Sequence, residues 1–191
     1  MGYVLSGIVC AGLAVVGVFV LFAIVAYNKL VGLREKTRTA WAQIDVMLKR
    51  RYDLIPNLVE TVRGYASHEK ETLERVIQAR NAAVTATSQG AAAVSAAEGQ
   101  LSGALRQLFA VAEAYPNLKA DSGFLQLQSE LANTENAIAG ERQSYNTSVR
   151  EYNTSIMSFP SNLIAGPFGF ATQTFFEVQD QAQRDAPKVQ F

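Results

Sequence analysis

The first 26 residues, MGYVLSGIVCAGLAVVGVFVLFAIVA, carry no charged side chain. A bilayer core takes about 20 apolar residues in helical form, so the run is long enough to span. The competing reading is a cleaved signal peptide. No Lys or Arg precedes the apolar run, and no good small-x-small cleavage site follows it, so we expect a retained anchor over residues 1–26. Cys10, the only cysteine, lies inside this run, which leaves no disulfide framework and no thiolate metal set. Val9 is too bulky for the small residue that usually precedes a lipidated cysteine. Lys29, Arg34, Lys36 and Arg38 follow the run with only Glu35 opposing. The positive-inside rule then puts the bulk of the chain in the cytoplasm and the N-terminus outside, with an extracytoplasmic bundle as the alternative.

Beyond Ala26 the pattern is helical. Leu30, Leu33, Thr37, Ala40/Trp41, Ile44 and Leu48 recur at three and four spacing and mark one apolar face. Pro56 costs about 3 kcal/mol inside a helix but is tolerated in a first turn, and Asp53 is a fair N-cap. We therefore expect a break near residues 51–54, with a single kinked helix as the rival. A second helix runs from about Pro56 to Thr87, and Gly90 is its candidate stop. A third carries Leu101, Leu105, Leu108, Ala112 and Tyr115. Pro116 and Gly123 enclose a turn, with Asp121 or Ser122 as the cap of a fourth helix. Counting in sevens through that helix gives Phe124, Leu131, Ile138, Tyr145, Tyr152 and Phe159, a bundle seam ended by Pro160. The expected fold is all-α: an N-terminal transmembrane helix, then an antiparallel up-and-down four-helix bundle over residues 27–159. Residues 160–191 form a tail with Phe, Gly and Pro, too apolar for a free linker. In up-down-up-down order the fourth helix returns to the membrane, so the tail starts near the bilayer surface. Phe168, Phe170, Phe175 and Phe176 are its candidate interface residues.

The chemistry-bearing residues are sparse. His68 is the only histidine, which excludes two-histidine metal signatures. It reads as mid-helix, with no nucleophile elbow beside it. The scattered carboxylates read as solvated helix faces. Glu135 and Arg142 share the seam next to the aromatic stripe and suit a register-fixing pair. Lys49-Arg50-Arg51 is the densest basic run. It lies roughly 35 Å along an upright helix from the membrane, so Arg50 and Arg51 suit a solvated turn or a docking site for an acidic partner. No phosphate-binding Gly loop occurs, and the formal net charge of zero points away from nucleic acid. The tetrapeptide Tyr-Asn-Thr-Ser occurs at 145–148 and 152–155. Both copies fit a glycan-acceptor pattern, but regular helix suits acceptors poorly. The repeat reads as a heptad, with tyrosine rings buried and Asn146 and Asn153 at the seam's edge, about 100° further round.

Several stretches resemble the LemA family. They include Tyr27-Asn28-x-Leu30-Val31, Ala40-Trp41-x-Gln43-Ile44-Asp45-Val46, Asp53-Leu54-Ile55-Pro56-Asn57-Leu58-Val59 and Gly64-Tyr65-Ala66-x-His68-Glu69. Glu113-x-Tyr115-Pro116-x-Leu118-Lys119-Ala120, the two Tyr-Asn pairs and Phe159-Pro160 continue the likeness nearly to the end of the chain. Met47 departs from it, standing where the family more usually has Gln. The resemblance implies a bacterial single-pass membrane protein with a four-helix bundle and no established enzyme activity; we expect an inner-membrane location, no enzyme activity and no cofactor. It implies an accessory or scaffold role, with relatives beside membrane metalloproteases and in magnetosome membranes. The expected partners are the lipid bilayer, further copies of the chain and a membrane protein such as a membrane protease, with no nucleic acid. A membrane-shaping role is the alternative, and a hydrolase or metal enzyme inside the bundle is the third reading.

Overall fold

A computed structural model describes residues 2–177. Among these, six α-helices account for nearly all regular structure. They are α1 (Gly2–Tyr65), α2 (Lys70–Ala86), α3 (Ala91–Ala112), the short α4 (Pro116–Lys119), α5 (Ser122–Met157) and the short α6 (Asn162–Ala165). A 3-10 turn over Thr87–Gln89 joins α2 to α3. Gly90 closes that turn at φ 95°, a left-handed conformation that glycine adopts without steric cost. Contacts divide the chain into two units, Met1–Ala40 with Thr147–Gln173, and Trp41–Asn146 with Thr174–Phe191.

The first unit contains the apolar N-terminal part of α1. Leu13, Val16, Phe19 and Ile24 are exposed along it, which is consistent with membrane anchoring. Past Ala26 the helix acquires a core. Leu30 packs with Tyr152 of α5, Ala165 of α6 and Phe170, flanked by Val31, Leu33 and Ile156. Lys36 and Glu151 pair at 2.7 Å on its surface.

The second unit is a bundle whose helix directions follow from its bonds. Arg50 of α1 reaches Glu130 of α5, and Tyr65, further along α1, reaches Asp121, just before α5 begins, so α1 and α5 are antiparallel. Arg51 bonds Glu98 and Tyr115 bonds Glu69, so α1 and α3 run the same way. The order is up-down-up-down. Ile44, Leu48, Ile55, Leu58, Val62, Val76, Leu101 and Leu108 fill the core. Asp121 caps α5 by accepting the Phe124 N–H at 2.8 Å.

The break expected near residues 51–54 is absent. Helix α1 continues through Pro56 to Tyr65, and the connection to α2 falls at 66–69. Proline has no N–H for the carbonyl four residues earlier. That carbonyl belongs to Tyr52, and it accepts a bond from Arg80 Nε of α2 at 3.2 Å instead. A tertiary donor thus replaces the missing helical one. His68 consequently lies exposed in the interhelical turn, not mid-helix. In the α5 seam, Phe124, Leu131, Ile138, Tyr145 and Tyr152 are buried. Phe159 is 79% exposed, because α5 ends at Met157 and the seventh-residue rule stops with it.

Candidate functional site

Two groups of polar side chains stand out. The first lies in the second unit around Arg51. Its guanidinium is buried and bonds Glu98 Oε2 at 2.6 Å, Ser102 Oγ at 2.9 Å and Glu135 Oε2 at 2.8 Å. The Tyr52 hydroxyl donates to Glu98 Oε1 at 2.7 Å. Burial lifts the Glu98 carboxyl above its ordinary range, against the opposing pull of Arg51 and Tyr52. Burial, then Glu98, pushes the Tyr52 hydroxyl far above its own. The expectation that Arg51 belongs to a solvated basic turn is corrected here, since residue 51 sits mid-helix on the core side. Arg50, one residue round, stays on the surface and pairs with Glu130 at 2.5 Å. The expected Glu135–Arg142 pair is replaced by Glu135–Arg51. This cluster ties α1, α3 and α5 together through one guanidinium and two carboxylates, a means of fixing register. Among the described residues no three His, Cys, Asp or Glu side chains converge as a metal site.

The second group grips the tail, and it is built on the repeated Tyr-Asn. In the second unit, Asn146 Nδ2 donates to the Phe176 carbonyl at 3.0 Å. The Phe176 N–H donates back to Asn146 Oδ1 at 2.8 Å. The Tyr145 hydroxyl donates to the Thr174 carbonyl at 3.0 Å. The Phe176 ring is buried beside Trp41, with centroids 6.1 Å apart, and the Arg142 guanidinium lies 4.7 Å from the ring centroid. Trp41 in turn packs on Tyr145 at 5.4 Å. Burial pulls the Arg142 guanidinium down from its ordinary value, with Glu135 and Glu98 acting the other way. Aromatic walls and a cation over the ring make a side-chain pocket, worth about 0.5–2 kcal/mol for the cation alone.

The first unit repeats the grip. Asn153 Nδ2 donates to the Gln173 carbonyl at 2.8 Å, and the Gln173 N–H donates to Asn153 Oδ1 at 2.8 Å. One carboxamide meeting the N–H and C=O of one residue requires both groups on the same side, as in extended chain.

Of the four tail phenylalanines expected at an interface, Phe170 and Phe176 are buried within the chain, Phe175 is half-buried and Phe168 is exposed. Sequence reasoning assigned Asn146 and Asn153 no more than an edge position and missed Trp41, Tyr52 and Glu98. The tandem Tyr-Asn ahead of an uncharged Phe-rich tail was the available signal.

The sequence pattern of the LemA family matches residues 40–191. The chain belongs to the LemA family. Magnetosome protein MamQ 2 of Paramagnetospirillum magneticum is 27% identical over 195 residues, covering 90% of this chain and 71% of that protein. Magnetosome protein MamQ of Magnetospirillum gryphiswaldense is 24% identical over 154 residues, 68% of this chain and 57% of the relative. Protein LemA of Metamycoplasma hominis is 28% identical over 135 residues, 69% of this chain and 59% of the relative. The family match takes in the whole of the Arg51 cluster and both asparagine grips, and it leaves the apolar start of α1 outside.

Proposed function

We propose that this LemA-family chain is a non-enzymatic, membrane-anchored scaffold that assembles with copies of itself or docks a membrane protein by gripping extended segments on α5. The observation that carries this reading is the pair of carboxamide grips at Asn146 and Asn153. They bond main chain, which every peptide has, while the Trp41–Tyr145–Arg142 pocket selects one aromatic side chain. The occupant here is the chain's own tail. Exchange of such a segment between copies is a low-cost route to assembly, and a partner's extended segment with a matching aromatic residue fits the same chemistry. Single-pass anchoring through α1, with the second unit on the cytoplasmic side of a bacterial inner membrane, is part of the proposal. A reporter fused to the C-terminus tests that side. Metal analysis and a His68→Ala variant test the non-enzymatic reading.

The scaffold reading is tested on the full-length chain in mild detergent by light scattering after purification. The wild type is expected to exceed the mass of one 20.7 kDa chain or to carry a membrane protein with it. An Asn146→Ala/Asn153→Ala variant is expected to lose that excess while remaining helical. A wild-type chain that is single and brings nothing with it overturns the proposal. Truncation after Pro160 is not a clean substitute, because it also removes Ala165 and Phe170 from the core around Leu30.

A second reading, a lipid-organising role, draws support from relatives that are named as proteins of the magnetosome. Reconstituted liposomes separate the two, since a scaffold alone leaves vesicle shape unaltered.

A further inference from the structure

In the first unit the chain turns back after α5 without a single charge, for no Asp, Glu, Lys or Arg lies between Glu151 and Glu177. Inside that uncharged stretch, large apolar side chains face outward. Met157 is 65% exposed, Phe159 79%, Leu163 51% and Phe168 60%. They do not belong to a loose end. Ile164, Ala165 and Phe170 beneath them are buried, and the Phe170 N–H bonds the Ala165 carbonyl at 2.9 Å. The backbone is therefore held while the apolar groups above it have no protein cover.

The place where they are held is defined by α1. The Phe168 ring meets Tyr27 edge-on at 5.2 Å, and Phe170 meets it at 5.5 Å. Tyr27 directly follows the uncharged run that ends at Ala26. Behind this aromatic group stand cations: Arg34 lies 5.2 Å from the Phe170 ring centroid, and Lys29 is exposed. Apolar side chains, then aromatic rings, then basic residues is the order found across a membrane–water interface.

We propose that Met157, Phe159, Leu163 and Phe168 make a second, shallow contact with the bilayer that α1 crosses, dipping into the boundary between headgroups and acyl chains. The proposal rests on reading α1 as a span. A lipid surface fits better than a protein groove because the exposed group is continuous with the end of the apolar run and offers no charge to desolvate. Lys29 and Arg34 would face anionic headgroups. The chain would then hold the membrane at two points, one through α1 and one through the turn after α5, which fixes the membrane-proximal end of the first unit against the bilayer.

The test uses the full chain with Cys10→Ala, carrying one environment-sensitive fluorophore on a cysteine at Phe159→Cys, Leu163→Cys, Phe19→Cys or Leu125→Cys. Each variant is reconstituted in vesicles of phosphatidylcholine and phosphatidylglycerol that contain lipids spin-labelled near the headgroup or deep in the acyl chain. Quenching of position 19 by deep labels, and of positions 159 and 163 chiefly by shallow labels, with position 125 unquenched, is the expected result. Quenching at 19 with positions 159 and 163 as unquenched as 125 overturns this proposal and leaves the span in place. No quenching at position 19 overturns the span reading and this proposal with it.

Discussion

Replacing Asn146 with alanine removes both bonds that its carboxamide makes to Phe176, at 3.0 and 2.8 Å. A net contribution of about 0.5–1.5 kcal/mol per bond gives roughly 1–3 kcal/mol for the pair. The Phe176 ring stays in its pocket between Trp41 and Arg142, so the loss appears as easier local opening and not as unfolding. At 1.4 kcal/mol per tenfold, amide exchange at Phe176 should quicken by roughly 5- to 150-fold. Hydrogen exchange followed residue by residue by NMR reads this directly, because the Phe176 N–H is the donor of the bond that is lost. Asn146→Asp is an informative companion. It keeps an acceptor for the Phe176 N–H but sets a carboxylate against the Phe176 carbonyl, so it should also quicken exchange. Exchange of Phe176 at the wild-type rate in Asn146→Ala, or equal quickening throughout the bundle, would show that the carboxamide does not hold the tail.

Arg80→Ala should leave the Tyr52 carbonyl without its donor and cost about 1–3 kcal/mol in denaturant unfolding. Pro56→Ala restores a helical N–H to that carbonyl, so it should stabilise the Arg80→Ala protein more than the wild type; equal effects in both backgrounds would contradict the exchange of donors. Glu98 holds its proton more tightly folded than unfolded, so its contribution to stability is full below the ordinary glutamate value and lost as pH rises through the folded one. The stability of the wild type relative to Glu98→Gln should therefore fall with rising pH across that window, and a difference that grows with pH would contradict burial as the dominant cause. Asp121 has the opposite sign: the Phe124 N–H and then the Tyr65 hydroxyl hold its carboxyl below the usual range. Its contribution is present above the ordinary aspartate value and lost as pH falls through the folded one, a loss that acid-unfolding curves of Asp121→Asn should not show.

The readable parts of this fold were those with a local period. The α5 seam from Phe124 to Tyr152 follows from seven-residue spacing because a helix packed along its length must keep one face inward. Phe159 fits the same count yet lies outside, since the period says nothing about a helix that ends at Met157. Pro56 was read by its intrinsic cost, which is sound for an isolated helix. The donor that offsets the missing N–H is Arg80, 24 positions away and on another helix, and no local pattern announces it. Arg51 misled in a related way: its neighbours Lys49 and Arg50 are exposed, and three basic residues in a row look alike until the helix turns one of them inward. Asn146 and Asn153 were visible as a repeat, and their partners were not. A carboxamide that bonds main chain leaves no complementary residue type in the segment it holds.

On the scaffold proposal, Asn146 and Asn153 each take extended segments from outside as well as from their own chain. A photo-crosslinking residue in place of Thr147, exposed on α5 between the two asparagines, tests it in native membranes. An adduct with a second copy or with a membrane protein is expected, diminished when Asn146 and Asn153 are both replaced by alanine. Adducts formed only within one chain, with or without the asparagines, would contradict it.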